Sequence, residues 1–145
     1  MSKGYLTFVQ NNSSTDYLTM AYVQALSIKT TQKINQYAVV VDDATYKLIE
    51  DRHREVFNHI IRLPLGDDAK NDNWKLRNEW KASIASPFNE TIKLESDMIF
   101  PHNIDHWWDI VSKKDLCFTT QVLDYRGKLA TSRAYRKVFD DNELL

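Results

Sequence analysis

Glycine is nearly absent from this chain: three in 145 residues, at Gly4, Gly66 and Gly127. So few and so scattered, they build neither a G-x-G-x-x-G turn nor a P-loop, which removes the backbone cradles that hold the phosphates of NAD, FAD or ATP. A diphosphate bound here would have to be neutralised by a metal ion and basic side chains. The single cysteine, Cys117, excludes an internal disulfide, and within Leu116-Cys117-Phe118 it reads as a small core residue in a reducing compartment. Neither sign of charge dominates: 19 basic residues face 20 acidic ones, a net charge of −1, mixed along the chain. Such a balance gives no electrostatic footprint for a polyanion, so nucleic acid is not expected as the main ligand. No stretch approaches 18 apolar residues, and the opening Met-Ser-Lys-Gly-Tyr has no apolar signal core. The expectation is a cytoplasmic protein that does not cross a membrane.

What is present is enough for one ordinary domain. With 43% hydrophobic residues, a chain of this size buries roughly 68–70% of its unfolded surface. No repeat, low-complexity tract or linker interrupts it, so a single domain over 1–145 is expected.

Tyr5 to Gln10 is a run of aromatic and β-branched residues, followed by turn chemistry at Asn11-Asn12-Ser13-Ser14 and a capping residue at Thr15 or Asp16. The next segment, Tyr17 to Thr30, carries Leu18, Ala21, Tyr22, Ala25 and Ile28 at spacings of three and four, which predicts a helix with one buried stripe. Tyr37 to Val41 is apolar at consecutive positions, as in a parallel strand covered on both faces. Asp42-Asp43 opens a helix with Tyr46, Ile49, His53, Val56 and Phe57 on one side, and Ile60 to Leu65 is a third strand ended by Pro64 and Gly66. A polar loop, a helix from Trp74 to Ser86 closed by Pro87, and a strand at Thr91 to Leu94 follow. Asn103 to Lys113 reads as a short helix, Leu116 to Leu123 as a further strand, and Asp124-Tyr125-Arg126-Gly127 as a turn. The alternation predicts an α/β fold: a mainly parallel, three-layer sheet with right-handed crossovers. Arg133 to Leu145 is polar and stops where another element would begin, so a chain truncated at its C-terminus is expected.

The most informative stretch is Thr91-Ile-Lys-Leu-Glu-Ser-Asp-Met-Ile-Phe-Pro101, in which an apolar strand runs into Glu95-x-Asp97 and resumes apolar. The bare pattern has little weight, since 20 acids in 145 residues give about three acid-x-acid matches by chance, and Asp141-x-Glu143 reads as one. Context gives it weight: carboxylates inside an apolar run are costly unless partnered. Either the pair holds a divalent cation at the carboxyl end of a strand, where ligands of open α/β sheets bind, or it points to solvent and pairs with Lys93.

The same rule brings the loops 10–14, 42–43 and 95–97 to one crevice. Gln10 and Asn11 could bond a base edge and Tyr17 could stack on it; equally, they could be turn filler and a packing tyrosine. Arg77 and Lys81, i and i+4 on the predicted helix, either contact a diphosphate or join Glu79 in a surface network. Asp42-Asp43 fits a ribose contact or a helix N-cap. His102 and His106 share the i, i+4 spacing, but Pro101 and Asn103 place His102 ahead of the helix; the four histidines are read as structural and the four tryptophans as packing.

Taken together, Thr7-Phe8-Val9-Gln10-Asn11-Asn12, then Tyr17 with Ala21, Ala25, Ser27 and Ile28, then Leu94-Glu95-Ser96-Asp97-Met98-Ile99 and Asn103-Ile104-Asp105 resemble the metal-dependent nucleotide-sugar glycosyltransferases of the A-type, Rossmann-like fold, in particular the glycogenin-like branch. The resemblance spans about residues 5 to 110. It implies Mn²⁺ or Mg²⁺ at Asp97, with Glu95 meeting ribose and metal, and Ser96 offering a backbone contact to the ribose. Phe8, Gln10, Asn11 and Tyr17 fall where the family holds base and ribose, and Arg77, with Lys81 beside it, is nearest to the family's diphosphate-binding base. A UDP-sugar is the implied donor, the acceptor is unknown, and a homo-oligomer is compatible with the pattern. Two departures stand out: Glu95 replaces the family's usual Asp, and the acceptor half with its late histidine ligand has no counterpart here. The expectation is therefore a sugar transferase or, alternatively, a silent donor-binding module or a plain structural α/β domain.

Overall fold

A computed structural model of the protein describes residues 2–73 and 75–117 together with Arg126 and Lys128. The chain divides into two units, 1–113 and 114–145. In the first, four parallel strands are β1 (Lys3–Val9), β2 (Tyr37–Val41), β3 (His59–Arg62) and β4 (Glu90–Leu94), in the order β3-β2-β1-β4. β1 therefore pairs with β2 on one side and with β4 on the other, and the chain reverses its direction of progress across the sheet between β3 and β4.

Core forms on both faces of the sheet because the strand residues alternate. Tyr5, Val9, Tyr37, Val39, Val41, Ile92 and Leu94 face helix α1 (Tyr17–Thr31), whose stripe of Leu18, Ala21, Ala25 and Ile28 is buried against them. Leu6, Ala38 and Val40 face the other way, toward Ala85, Phe8, Leu63 and Phe88. The all-apolar Tyr37–Val41 is buried at every position, as its composition requires. Gly4 has a packing reason: a Cβ there would lie 2.4 Å from the Phe88 ring.

Helix starts follow their caps. Asp16 accepts from the Thr19 amide at 3.1 Å, and Asp42 from the Thr45 amide at 2.7 Å. The single helix expected after Asp42 is instead two short ones, α2 (Asp43–Tyr46) and α3 (Asp51–Val56), because the Glu50 amide donates to His53 Nδ1 at 3.0 Å and restarts the chain there. β3 stops at Arg62, ahead of Pro64, which has no amide to donate. The helix expected over 74–86 also differs. Lys75–Lys81 is a 3₁₀ helix and only Ala82–Ala85, α4, is α-helical; Trp74 lies outside the described residues. α5 is Trp107–Val111, shorter than predicted. Trp108 is buried edge-on against Tyr5, but Trp80 is 59% exposed, so not every tryptophan is core.

In the second unit, Cys117 is exposed rather than a core residue, and neither Leu116 nor Cys117 is in a strand. The remainder of the predicted strand 116–123, and residues 133–145, lie outside the described residues, as does most of the turn at 124–127. No helix among the described residues is long and apolar enough to cross a membrane.

Candidate functional site at the carboxyl end of the sheet

The reversal between β3 and β4 opens the loops after β1 and β4 away from each other's crossovers, the place where open α/β sheets bind ligands. β1 and β4 are in register at Thr7–Leu94, and Gln10 and Asp97 each lie three residues beyond that pair. The 3₁₀ helix Lys75–Lys81 reaches these strand ends, with Asn78 on Gln10 and Glu79 on Lys93. Its period of three stacks Lys75, Asn78 and Lys81 in one row and carries residues i and i+4 apart, which corrects the pairing of Arg77 with Lys81. Arg77 is exposed and ion-paired to Asp72 at 3.3 Å, whereas Lys81 is fully buried.

Asn78, also fully buried, uses all its hydrogen-bonding capacity. Its Nδ2 donates to Gln10 Oε1 at 2.8 Å and Asp67 Oδ1 at 2.7 Å, and its Oδ1 accepts from the Asp68 amide at 3.0 Å and Lys81 Nζ at 2.9 Å. Lys81 Nζ also donates to the Gly66 carbonyl at 2.7 Å and pairs with Asp68 at 3.1 Å. Gln10 Nε2 donates onward to Asp42 at 3.3 Å, so one polar chain crosses the ends of β1 and β2. Burial pushes the Asp67 carboxyl up, but bonds from Asn78 and the Ala69 amide outweigh this and hold it below the usual range. Bonds from Lys81 and Trp80 lower that of Asp68.

The residue after Asn78 reaches the other strand. Glu79 pairs with Lys93 at 2.7 Å, and Lys93 is also bonded to Glu95. Burial raises the Glu79 pKa against the opposing pull of Lys93. For Lys93 burial acts downward, yet its bonds to Glu79 and Glu95 prevail and raise it. The turn itself is tied to α1 from behind. Gln24 Nε2 donates to the carbonyls of Glu95, at 2.5 Å, and Met98, at 3.1 Å, while Gln24 Oε1 accepts from Tyr37 at 2.6 Å and Thr7 at 3.0 Å.

The sequence candidates thus separate. Gln10, Lys81, Glu95, Ser96 and Asp97 are gathered at the carboxyl end. Phe8 belongs to the apolar cluster on the α4 face, and Tyr17 packs on the α1 core cluster. Asn11 is spent on capping: its Oδ1 accepts from the Leu18 amide at 2.9 Å and its Nδ2 donates to Asp16 at 2.9 Å. Asp42 is a helix cap as well as the partner of Gln10. Ser96 is buried, Glu95 is engaged by Lys93, and the exposed Asp97 carboxylate has no partner among the described residues. His102 precedes α5 and His106 is its N-cap.

Among the described residues no three Asp, Glu, His or Cys side chains converge as a closed metal cage. The donor set, one free carboxylate and a second held by Lys93, fits only a hard cation completed by phosphate oxygens and water, the usual habit of Mg²⁺ with nucleotides. Missed in the sequence were Gln24, Asn78, Asp67, Asp68 and the Glu79–Lys93 pair. Gln24 was marked by its place inside the apolar stripe of α1; nothing local marked Asn78. Comparison of the chain with known protein families and with curated proteins finds no match.

Proposed function

We propose that the first unit binds a nucleoside-diphosphate sugar, a UDP-sugar by preference, at the crevice between the ends of β1 and β4, as the donor half of a sugar transferase. The observation that carries this reading is the sheet order β3-β2-β1-β4, because ligands of open α/β sheets bind where such an order reverses, here beside the Glu95-Ser96-Asp97 turn. In that crevice, Asp97 would hold Mn²⁺ or Mg²⁺, Glu95 would join if Lys93 released it, and Gln10 and Ser96 would line the nucleoside. The ion would offset charge on the departing diphosphate. The finer fold, a three-layer glycosyltransferase domain, belongs to the same proposal.

Thermal shift with UDP, UDP-sugars and GDP-sugars, each with and without Mn²⁺, tests it. Ligand at 100 times Kd stabilises by about 2.7 kcal/mol, and the expected shift requires nucleotide and metal together. No shift with any donor at millimolar concentration overturns the reading. One observation favours the structural alternative: Lys81 is saturated by protein oxygens and Glu95 is paired with Lys93. Under that alternative no donor binds. A protein that binds donor but releases no sugar to any acceptor is the silent module.

A further inference from the structure

Lys81 has no unused proton. Its three N–H groups meet the Gly66 carbonyl at 2.7 Å, Asn78 Oδ1 at 2.9 Å and the Asp68 carboxylate at 3.1 Å, and the residue is fully buried. Two of those oxygens are neutral: the Gly66 carbonyl, which lies on the same loop as Asp68, and Asn78 Oδ1, which Asn78's other bonds hold in place. The third is an anion on a side chain that is 46% exposed, on a loop rather than a regular element.

The stretch that delivers Asp68 is held under tension. Leu65 has φ +58° and Gly66 φ +79°. A glycine takes that region freely, but a leucine does so only at a cost, and the Leu65 side chain, 71% exposed, buries little to offset it. What retains the loop is polar: Asp67 on Asn78, the Asp68 amide on Asn78, and Asp68 on both Lys81 and the Trp80 indole N–H at 3.1 Å. Just downstream, Lys75, in the same 3₁₀ row, donates to the carbonyls of Ala69 at 2.7 Å and Lys70 at 3.2 Å, so the retaining bonds act on 66–70 as a group.

We infer that residues 65–68 are an autoinhibitory strap, with the Asp68 carboxylate standing on Lys81 where a phosphate oxygen of the diphosphate would stand. This rests on the nucleoside-diphosphate reading of the crevice. Binding exchanges the Asp68 carboxylate and the Gly66 carbonyl on Lys81 for phosphate oxygens, so the buried ammonium is never left without a counter-charge, which would be costly. Release of the loop also relaxes Leu65. The apparent affinity is then the intrinsic one reduced by the fraction of molecules with the strap open.

The test is calorimetric titration of UDP with Mn²⁺ into the full chain as wild type, Asp68→Asn and Leu65→Asn, with amide exchange followed at 67–69. Asp68→Asn removes the charge but keeps an acceptor; it should bind UDP about fivefold to tenfold more tightly. Leu65→Asn, in which asparagine tolerates the left-handed region, should bind about twofold to fivefold more weakly. UDP should speed exchange of the Asp68 and Ala69 amides in the wild type. If wild type and Asp68→Asn bind UDP equally while the protection of those amides is unchanged by UDP, the strap is refuted and the nucleotide site stands. If neither binds UDP, the nucleotide reading fails and the strap with it. Should Asp68→Asn not fold, Leu65→Asn and the exchange measurement decide alone.

Discussion

Gln24, in the middle of α1, donates from Nε2 to the main-chain carbonyl of Glu95 at 2.5 Å. The amide is fully buried and its oxygen is taken by Tyr37 and Thr7, so it joins the helix to the turn that carries both motif acids. Gln24→Leu leaves two hydroxyls and two carbonyls without this partner, and should cost about 2–4 kcal/mol. Urea unfolding measures it; an unchanged midpoint would show that the turn does not depend on the helix.

Asp97→Asn should leave the melting temperature of the free protein unchanged, because the carboxylate is exposed and has no partner among the described residues. The Mn²⁺-dependent shift with UDP should disappear, a loss of about 2.7 kcal/mol at 100 times the wild-type Kd. Glu95→Gln, acting on a carboxylate already paired with Lys93, should lose less.

Lys93→Met removes the counter-ion of half-buried Glu79 and should destabilise by about 1–3 kcal/mol at neutral pH. The sign with pH follows from Glu79, whose pKa lies above its usual 4.5. Such a group favours the folded state below 4.5 and loses that contribution as pH rises through its folded value. The variant should therefore fall further behind wild type as pH rises from 4.5 toward neutrality. Parallel melting curves across this range would exclude it.

His53, buried between Tyr22 and Phe57, titrates below its usual 6.5, first because burial disfavours the cation and then because Arg52 is near. A depressed histidine contributes stability that is present above 6.5 and is lost as pH falls from there through the folded value. Stability should decline on acidification below pH 6.5, and His53→Asn should flatten that part of the profile.

Gly4→Ala places a methyl group 2.4 Å from the Phe88 ring and should cost about 1–3 kcal/mol. In a Phe88→Ala background the same change should be nearly neutral; a full cost there would mean that the strand, not the ring, rejects the side chain.

The regular elements near the sheet could be read from sequence because their burial follows a local pattern, periodic along α1 and continuous along β2. Tyr37–Val41, the stripe of α1 and the caps at Asp16 and Asp42 follow from local residue types. The crevice could not be read so far. Over the seven residues 75–81 a period of three is hard to tell from one of 3.6, and what selects it is a loop ten residues away in sequence, through Asp67, Asp68 and Asn78. Of the alternatives left open, Glu95 takes the pairing with Lys93 two residues away, with Glu79 on the same lysine, and Asn11 takes the start of α1. Motif spacing located the acids at the strand end and offered Lys93 as a partner; it did not reveal Glu79 on the same lysine.

β3, the outermost described strand on its side, offers only His59–Arg62 before Leu63 and Pro64, and both of its terminal side chains are exposed. An extended peptide from another molecule docking alongside would find four residues of ladder with a cation at the end and, after Leu63, a proline with no donor. Recruitment by strand addition, and fibril growth from that margin, are both disfavoured by the same short edge.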